Sequence, residues 1–269
     1  MTPLLQRLLL VIALLTSQIA CTATSLAPYE ATYTTKLKGI KVTGVRKLVK
    51  TEANRYRMSW KARALWMRLE ESTEFEVIEG RYVRPITYEY KRRGLGSDRP
   101  IRIDFDYATN TVHGSKGNRS YDFALQPHTQ DKLSYQVQMQ LDLMHEPNQP
   151  LLDYAVAGHN RIKQYAFNHT VDETLETAIG EDIASVYVRK KTDSATYLWL
   201  SPQRGYLPVK IEQHEDGKKT SVDIKNWRAA QPNGQIALNA IDTSDTRVTP
   251  SASEAAADDK HDSSTEEDF

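Results

Sequence analysis

From Tyr29 to Arg228 the chain is written in short runs of alternating apolar and polar residues, cut at intervals of roughly ten positions by Gly, Pro, Asn and Asp. Successive side chains on a strand point to opposite faces, so this pattern constrains the chain to antiparallel sheet with one dry and one wet face. The most legible pair of runs is Thr196–Leu200 and Leu207–His214. Ser201-Pro202-Gln203-Arg204-Gly205 turns the first into the second, and Glu215-Asp216-Gly217 ends the second. Pro202, Gly205, Pro208 and Gly217 are expected to shape a bend or an edge of the sheet, not to do chemistry.

Further strands are predicted at residues 29–37, 40–49, 55–63, 65–77, 82–90, 100–107, 111–114 and 119–123, and again at 152–157, 160–167, 169–175, 181–190 and 219–228. One element breaks the pattern. Between Thr129 and His145, Leu133, Tyr135 and Val137 alternate as in a strand, while Leu133, Val137, Leu141 and Met144 also form a helical stripe. Its length without Gly or Pro, and its content of Gln, Met and Leu, favour a helix. Thr129 or Asp131 would cap its start, and Pro147 and Pro150 would stop it. The fold class that follows is mainly β (α+β): a large curved antiparallel sheet or open half-barrel with one helix, in a single domain over 28–228. A sheet of a dozen or more strands must curl or close.

The flanks differ from this body. Arg7 precedes the apolar run Leu8–Leu15, which is too short to span a bilayer and is followed by small residues, so residues 1–23 read as a signal peptide. Ser25 and Ala27 offer a later cleavage point. Cys21, the only cysteine, closes Gln18-Ile19-Ala20-Cys21, a partial lipobox in which Gln18 replaces an aliphatic residue, and lipidation at Cys21 is the alternative fate. Cleavage after Ala23 leaves no cysteine for a disulfide or a thiolate metal site. The expected location is the periplasm. Residues 229–269 carry nine acids against Arg247 and Lys260 and few large apolar residues, so they read as an acidic, largely disordered tail. The formal charge of the whole chain is zero, and the body between Pro28 and Arg228 is therefore net basic.

Motifs for catalysis are missing from the sequence. No His-Glu-x-x-His or Gly-x-Ser-x-Gly occurs, and no Gly-rich phosphate loop. His145-Glu146 and His214-Glu215-Asp216 sit at element ends, where solvated polar residues belong. Asp104 and Asp106 share one face of a strand and read as a wet face rather than a glycosidase pair. The chain is accordingly expected to be no enzyme, with no catalytic residues, metal or cofactor. Lys91, Arg92 and Arg93 form the densest basic patch, suited to anionic headgroups or to keeping a sheet edge soluble. An exported chain is a poor partner for nucleic acid. If the curved sheet encloses a space, Trp66, Met67, Leu69, Leu133, Val137, Leu141 and Trp199 are its expected lining.

The order Tyr29-Glu-Ala-Thr-Tyr33, Gln130-Asp131-x-x-Ser134, Ile179-Gly180, Trp199-Leu-Ser-Pro202, Leu207-Pro-Val-Lys-Ile211 and Asp216-Gly217 resembles the bacterial envelope family catalogued as domain of unknown function 3108. That resemblance implies an exported β protein with a curved antiparallel sheet, and no established activity. The 196–217 hairpin is also similar, more loosely, to that of the open half-barrels that carry or bind lipoproteins in the periplasm. An apolar concavity would suit an acyl chain or a hydrophobic partner. The function expected is therefore non-enzymatic binding of a lipid-like ligand or an envelope protein, peripheral to the membrane at most. A hydrolase acting on envelope polymer or lipid and a structural scaffold are the alternatives.

Overall fold

Consecutive strands pair with each other at every step of the chain but one, and the exception is where the helix lies. The computed structural model describes residues 26–37, 39–65, 67–94 and 99–229. The first half is a meander of β1 (Tyr29–Leu37), β2 (Ile40–Lys50), β3 (Arg55–Ala64), β4 (Met67–Ile78), β5 (Tyr82–Arg93), β6 (Ile101–Asp106), β7 (Thr111–Lys116) and β8 (Arg119–Ala124). Helix α1 (Ser134–His145) follows. The second half is a meander of β9 (Leu151–Ala157), β10 (Ile162–Thr177), β11 (Gly180–Lys190), β12 (Ser194–Ser201), β13 (Leu207–Glu215) and β14 (Lys218–Ala229). β1 pairs with β14 and fuses the halves into one antiparallel sheet, in the order β8 to β1 and then β14 to β9. β8 and β9 are its two edges, so the sheet is not closed by strand pairing.

Bulges supply the curvature. In β5 the register jumps from Glu74↔Thr87 to Phe75↔Pro85, which places a proline without an N–H where the ladder is already broken. The predicted break between 167 and 169 is absent. β10 instead runs unbroken for 16 residues, with a bulge between His169 and Val171. The helix starts at Ser134, later than its sequence signal, because Gln130 is spent on β-bridging and Asp131 on capping.

That segment fastens the seam. The Gln130 N–H donates to the Ala155 carbonyl at 2.8 Å, and the Ala157 N–H donates to the Gln130 carbonyl at 2.7 Å. The Gln130 side chain donates to the Val83 carbonyl on β5, also at 2.8 Å. Asp131 Oδ1 accepts from the N–H groups of Leu133 and Ser134, while Ser134 Oγ accepts from the Asp131 N–H at 2.7 Å, a reciprocal cap. Farther along, the turn after β9 reaches β7: His159 stacks edge-on against Tyr121, and its backbone lies where a Cβ on Gly114 would sit. Gln130-Asp131-x-x-Ser134 is thus a structural clamp.

The helix is buried on most of its surface and divides two apolar clusters. Leu133, Val137 and Leu141 pack in the larger, with Tyr33, Leu48, Met58, Phe75 and Ile103 among its members. Tyr135, Met139 and Leu143 pack in the smaller, with Tyr165, Phe167, Tyr187, Leu198 and Leu200. Burial of both flanks against the sheet, and not helix propensity, is what stabilises a helix of 12 residues.

A candidate groove beside the helix

Residues on one flank of α1 and on four strands leave a narrow groove. Lys132, Tyr135, Gln136 and Met139 form one wall. The other is built from Tyr165 on β10, Arg189 on β11, Thr196, Leu198 and Leu200 on β12, and Tyr206, Pro208 and Ile211 at β13; together they leave about 50 Å³ of free space. Period two explains the strand side: Thr196, Leu198 and Leu200 share one face of β12. Tyr135 anchors the wall, edge-on to Tyr165 at 5.4 Å and stacked on Phe167 at 5.8 Å.

The polar groups at the groove are held in place. The Arg189 guanidinium lies 4.0 Å from the centre of the Tyr165 ring. Thr196 Oγ1 donates to Gln213 at 2.7 Å. Gln136 accepts from Arg46 at 2.6 Å and donates to the Lys132 carbonyl at 2.8 Å. The groove thus joins apolar walls to two cationic side chains, Lys132 and Arg189, and no carboxylate lines it.

Titratable groups with unusual environments lie elsewhere. Glu71 is buried and accepts from Tyr88 at 2.5 Å; burial pushes its carboxyl up to about 7, against the hydrogen bond and nearby cations. Asp131 is raised by burial against the hydrogen bonds its carboxyl accepts from Thr73, Leu133 and Ser134. Burial would also raise Glu212, but hydrogen bonds with Lys210, Lys219 and His214 outweigh it and bring the carboxyl down to about 2. These carboxylates have partners within the fold and do not line the groove, although Lys132 of its wall is one of the cations acting on Glu71, and they read as structural polar sites. Among the described residues no group of three His, Cys, Asp or Glu is placed to hold a metal ion, and no helix is long and apolar enough to cross a membrane.

The residues expected to line a cavity are distributed differently. Leu133, Val137 and Leu141 are buried in the larger cluster, on the flank of α1 turned from the groove. Trp199 is buried there too, its indole donating to Glu173 at 2.9 Å with Lys210 Nζ 4.4 Å from the ring centre. Met67 and Leu69 are partly buried on β4, and Trp66 lies outside the described residues. None of the six described residues lines the groove. Lys91, Arg92 and Arg93 lie at the end of strand β5, past its predicted end at residue 90: Lys91 pairs with Glu89 at 3.0 Å, and Arg93 stands opposite Arg68. Cys21, the leader and the tail lie outside the described residues. Tyr165, Arg189, Leu198 and Tyr206 escaped the sequence reading. Ala184–Arg189 is buried at every position, as a strand covered on both faces must be.

The clamp at Gln130–Ser134 and the turn at Ser201–Gly205 lie within the reach of a family model described as a protein of unknown function (DUF3108), which matches residues 28–220. The chain belongs to the DUF3108 family. Among solved structures, this DUF3108 protein is similar to a β-barrel-like protein of domain of unknown function DUF1849 from Brucella abortus. The TM-score is 0.52 at 9% identity, over 77% of this chain and 99% of that one. That likeness shows the fold alone. No curated protein matches the chain.

Proposed function

We propose that this DUF3108 protein is an exported, non-enzymatic binding protein of the periplasm that takes an anionic amphiphile into the groove beside α1. The observation that carries the proposal is the pairing of apolar walls from Tyr135, Met139, Leu198, Leu200 and Ile211 with Lys132 and Arg189. An acyl chain would lie along the walls, and its carboxylate or phosphate would meet the cations. The free space of about 50 Å³ holds no more than a water or two, so entry requires side chains to move aside. Met139, unbranched and adaptable, is the side chain suited to do so.

Displacement of a fluorescent fatty acid by an unlabelled one tests the reading, with Met139→Trp to fill the groove and Arg189→Gln to remove a cation. Saturable binding that Met139→Trp abolishes and Arg189→Gln weakens about tenfold is the expected result. Absence of saturable binding, or binding indifferent to both changes, would overturn it. Export rests on the leader at residues 1–23, and intact-mass measurement of the periplasmic fraction tests it. A mass that retains the leader would count against it, and a mass showing acylated Cys21 would replace a free protein with an anchored one.

A further inference from the structure

Antiparallel pairing collects seven hairpin turns, from β1–β2 through β13–β14, at one end of the sheet. Each of these turns is flanked by Lys or Arg. Lys36 and Lys41 bracket the β1–β2 turn, Arg63 and Arg68 bracket the β3–β4 turn, and Lys218 and Lys219 follow the β13–β14 turn. Acids at this end are few among the described residues, with Asp193, Glu215 and Asp216 the ones within the turns. The opposite end is mixed, carrying Glu52, Glu79 and Glu176 beside its bases. The positive charge of the body is therefore concentrated on one rim.

On that rim Arg63 stands opposite Arg68, and Arg68 opposite Arg93, so three exposed guanidinium groups form one row across β3, β4 and β5. Like charges in direct cross-strand register destabilise a sheet, and folding gains nothing from the row. The turn beside it is equally unfavourable to folding. Ala64 pairs with Met67, which leaves a two-residue hairpin loop that begins with Leu65. Such loops call for Asn, Asp or Gly. Leu65 instead takes φ of +39° and is 79% exposed, the most exposed large apolar residue described. Leu37, at the neighbouring β1–β2 tip, is 45% exposed.

We infer that this rim docks on an anionic lipid bilayer, with Leu65 and Leu37 entering the headgroup region and the arginine row against lipid phosphates. A soluble polyanion would account for the cations but not for leucines presented at a strained tip. A bilayer interface accounts for both. The surface is separate from the groove and does not depend on the groove's function.

Co-sedimentation of the mature protein, without residues 1–23, with vesicles tests the inference. Binding is expected to vesicles of phosphatidylcholine with about a third phosphatidylglycerol, not to phosphatidylcholine alone, and to fall steeply with added salt. Arg68→Gln should lower partitioning about fivefold, and the triple change of Arg63, Arg68 and Arg93 to Gln should abolish it. Leu65→Asn gives the turn a favoured residue, so it should leave the melting temperature equal or higher while weakening vesicle binding about tenfold. Equal binding to neutral vesicles, or binding unaffected by Leu65→Asn and competed away by heparin, would overturn the inference in favour of a non-lipid contact. Met139→Trp should leave vesicle binding unchanged, which separates this surface from the groove.

Discussion

Thr73 Oγ1 donates a hydrogen bond to Asp131 Oδ2 at 2.6 Å, joining the middle of β4 to the cap of α1. Both groups are buried, and the bond links the helix to the first half of the sheet from inside the protein. Replacing Thr73 by Val keeps the shape and leaves a carboxylate oxygen without its donor. Stability should fall by about 2 kcal/mol. Asp131→Ala, which also frees two helix N–H groups, should cost more, about 3 kcal/mol. Urea unfolding midpoints measure both, and an unchanged midpoint for Asp131→Ala would sink the clamp.

Glu71 gives stability a dependence on pH. Its carboxyl sits near 7 in the fold against an ordinary value of 4.5, so the folded state favours the protonated form. The associated stability is present below 4.5 and is lost as pH rises through 7. Glu71→Gln should match the parent at pH about 4.5 and exceed it by roughly 2–3 kcal/mol at pH about 8. Thermal melts across that range check the crossover.

Glu212 has the opposite sign. Held near 2 in place of 4.5, it contributes stability above 4.5 that disappears as pH falls through 2. Glu212→Gln should destabilise by roughly 3 kcal/mol at neutral pH and leave Lys210 and Lys219 without their shared counter-charge. The difference from the parent should shrink in acid. A gap that stays constant down to pH about 2 would show that packing, not charge, is responsible.

Arg204 in the turn before β13 forms an ion pair with Asp182, whose side chain is fully buried, and also bonds the Ile179 carbonyl. Removing only the cation should cost about 3–5 kcal/mol, because Asp182 would be left buried and uncompensated. Joint replacement by Arg204→Met and Asp182→Leu should recover much of that loss. The double-mutant cycle reads the coupling directly.

Gly114 admits the backbone of His159 against β7, where a Cβ would overlap the carbonyl. Gly114→Ala should push the turn after β9 outward and cost about 2–3 kcal/mol. Amide exchange should quicken around residues 157–161, while the β1–β14 pairing stays protected. Uniform quickening across the sheet would instead show that this contact is not local.

Much of the strand content was legible because period two is a local signal, and Gly39, Gly80 and Gly217 mark turns by their own backbone needs. The ambiguity at Thr129–His145 resolved as a helix for a reason absent from local sequence: both its flanks meet apolar clusters. The groove was not legible. Its walls pair the α1 segment with residues between Tyr165 and Ile211, far along the chain, and burial alone pointed equally well to Leu133, Val137 and Leu141, which face the core. The basic rim was hidden for a related cause. Arg63, Arg68 and Arg93 look scattered along the chain and align only once register is known.

The pairing of β1 with β14 also sets the order in which the protein can mature. Each hairpin joins neighbours along the chain and closes early, whereas Tyr29 waits for Ala229 at the far end of the described body. Long loop closures of this kind are slow. During synthesis, β1 is therefore an open edge for as long as the last strand is missing, able to recruit a strand from another molecule. A chain cut short before Lys218 would keep that edge permanently. Its failure would show as self-association, even though every contact in the β1–β8 meander could still form.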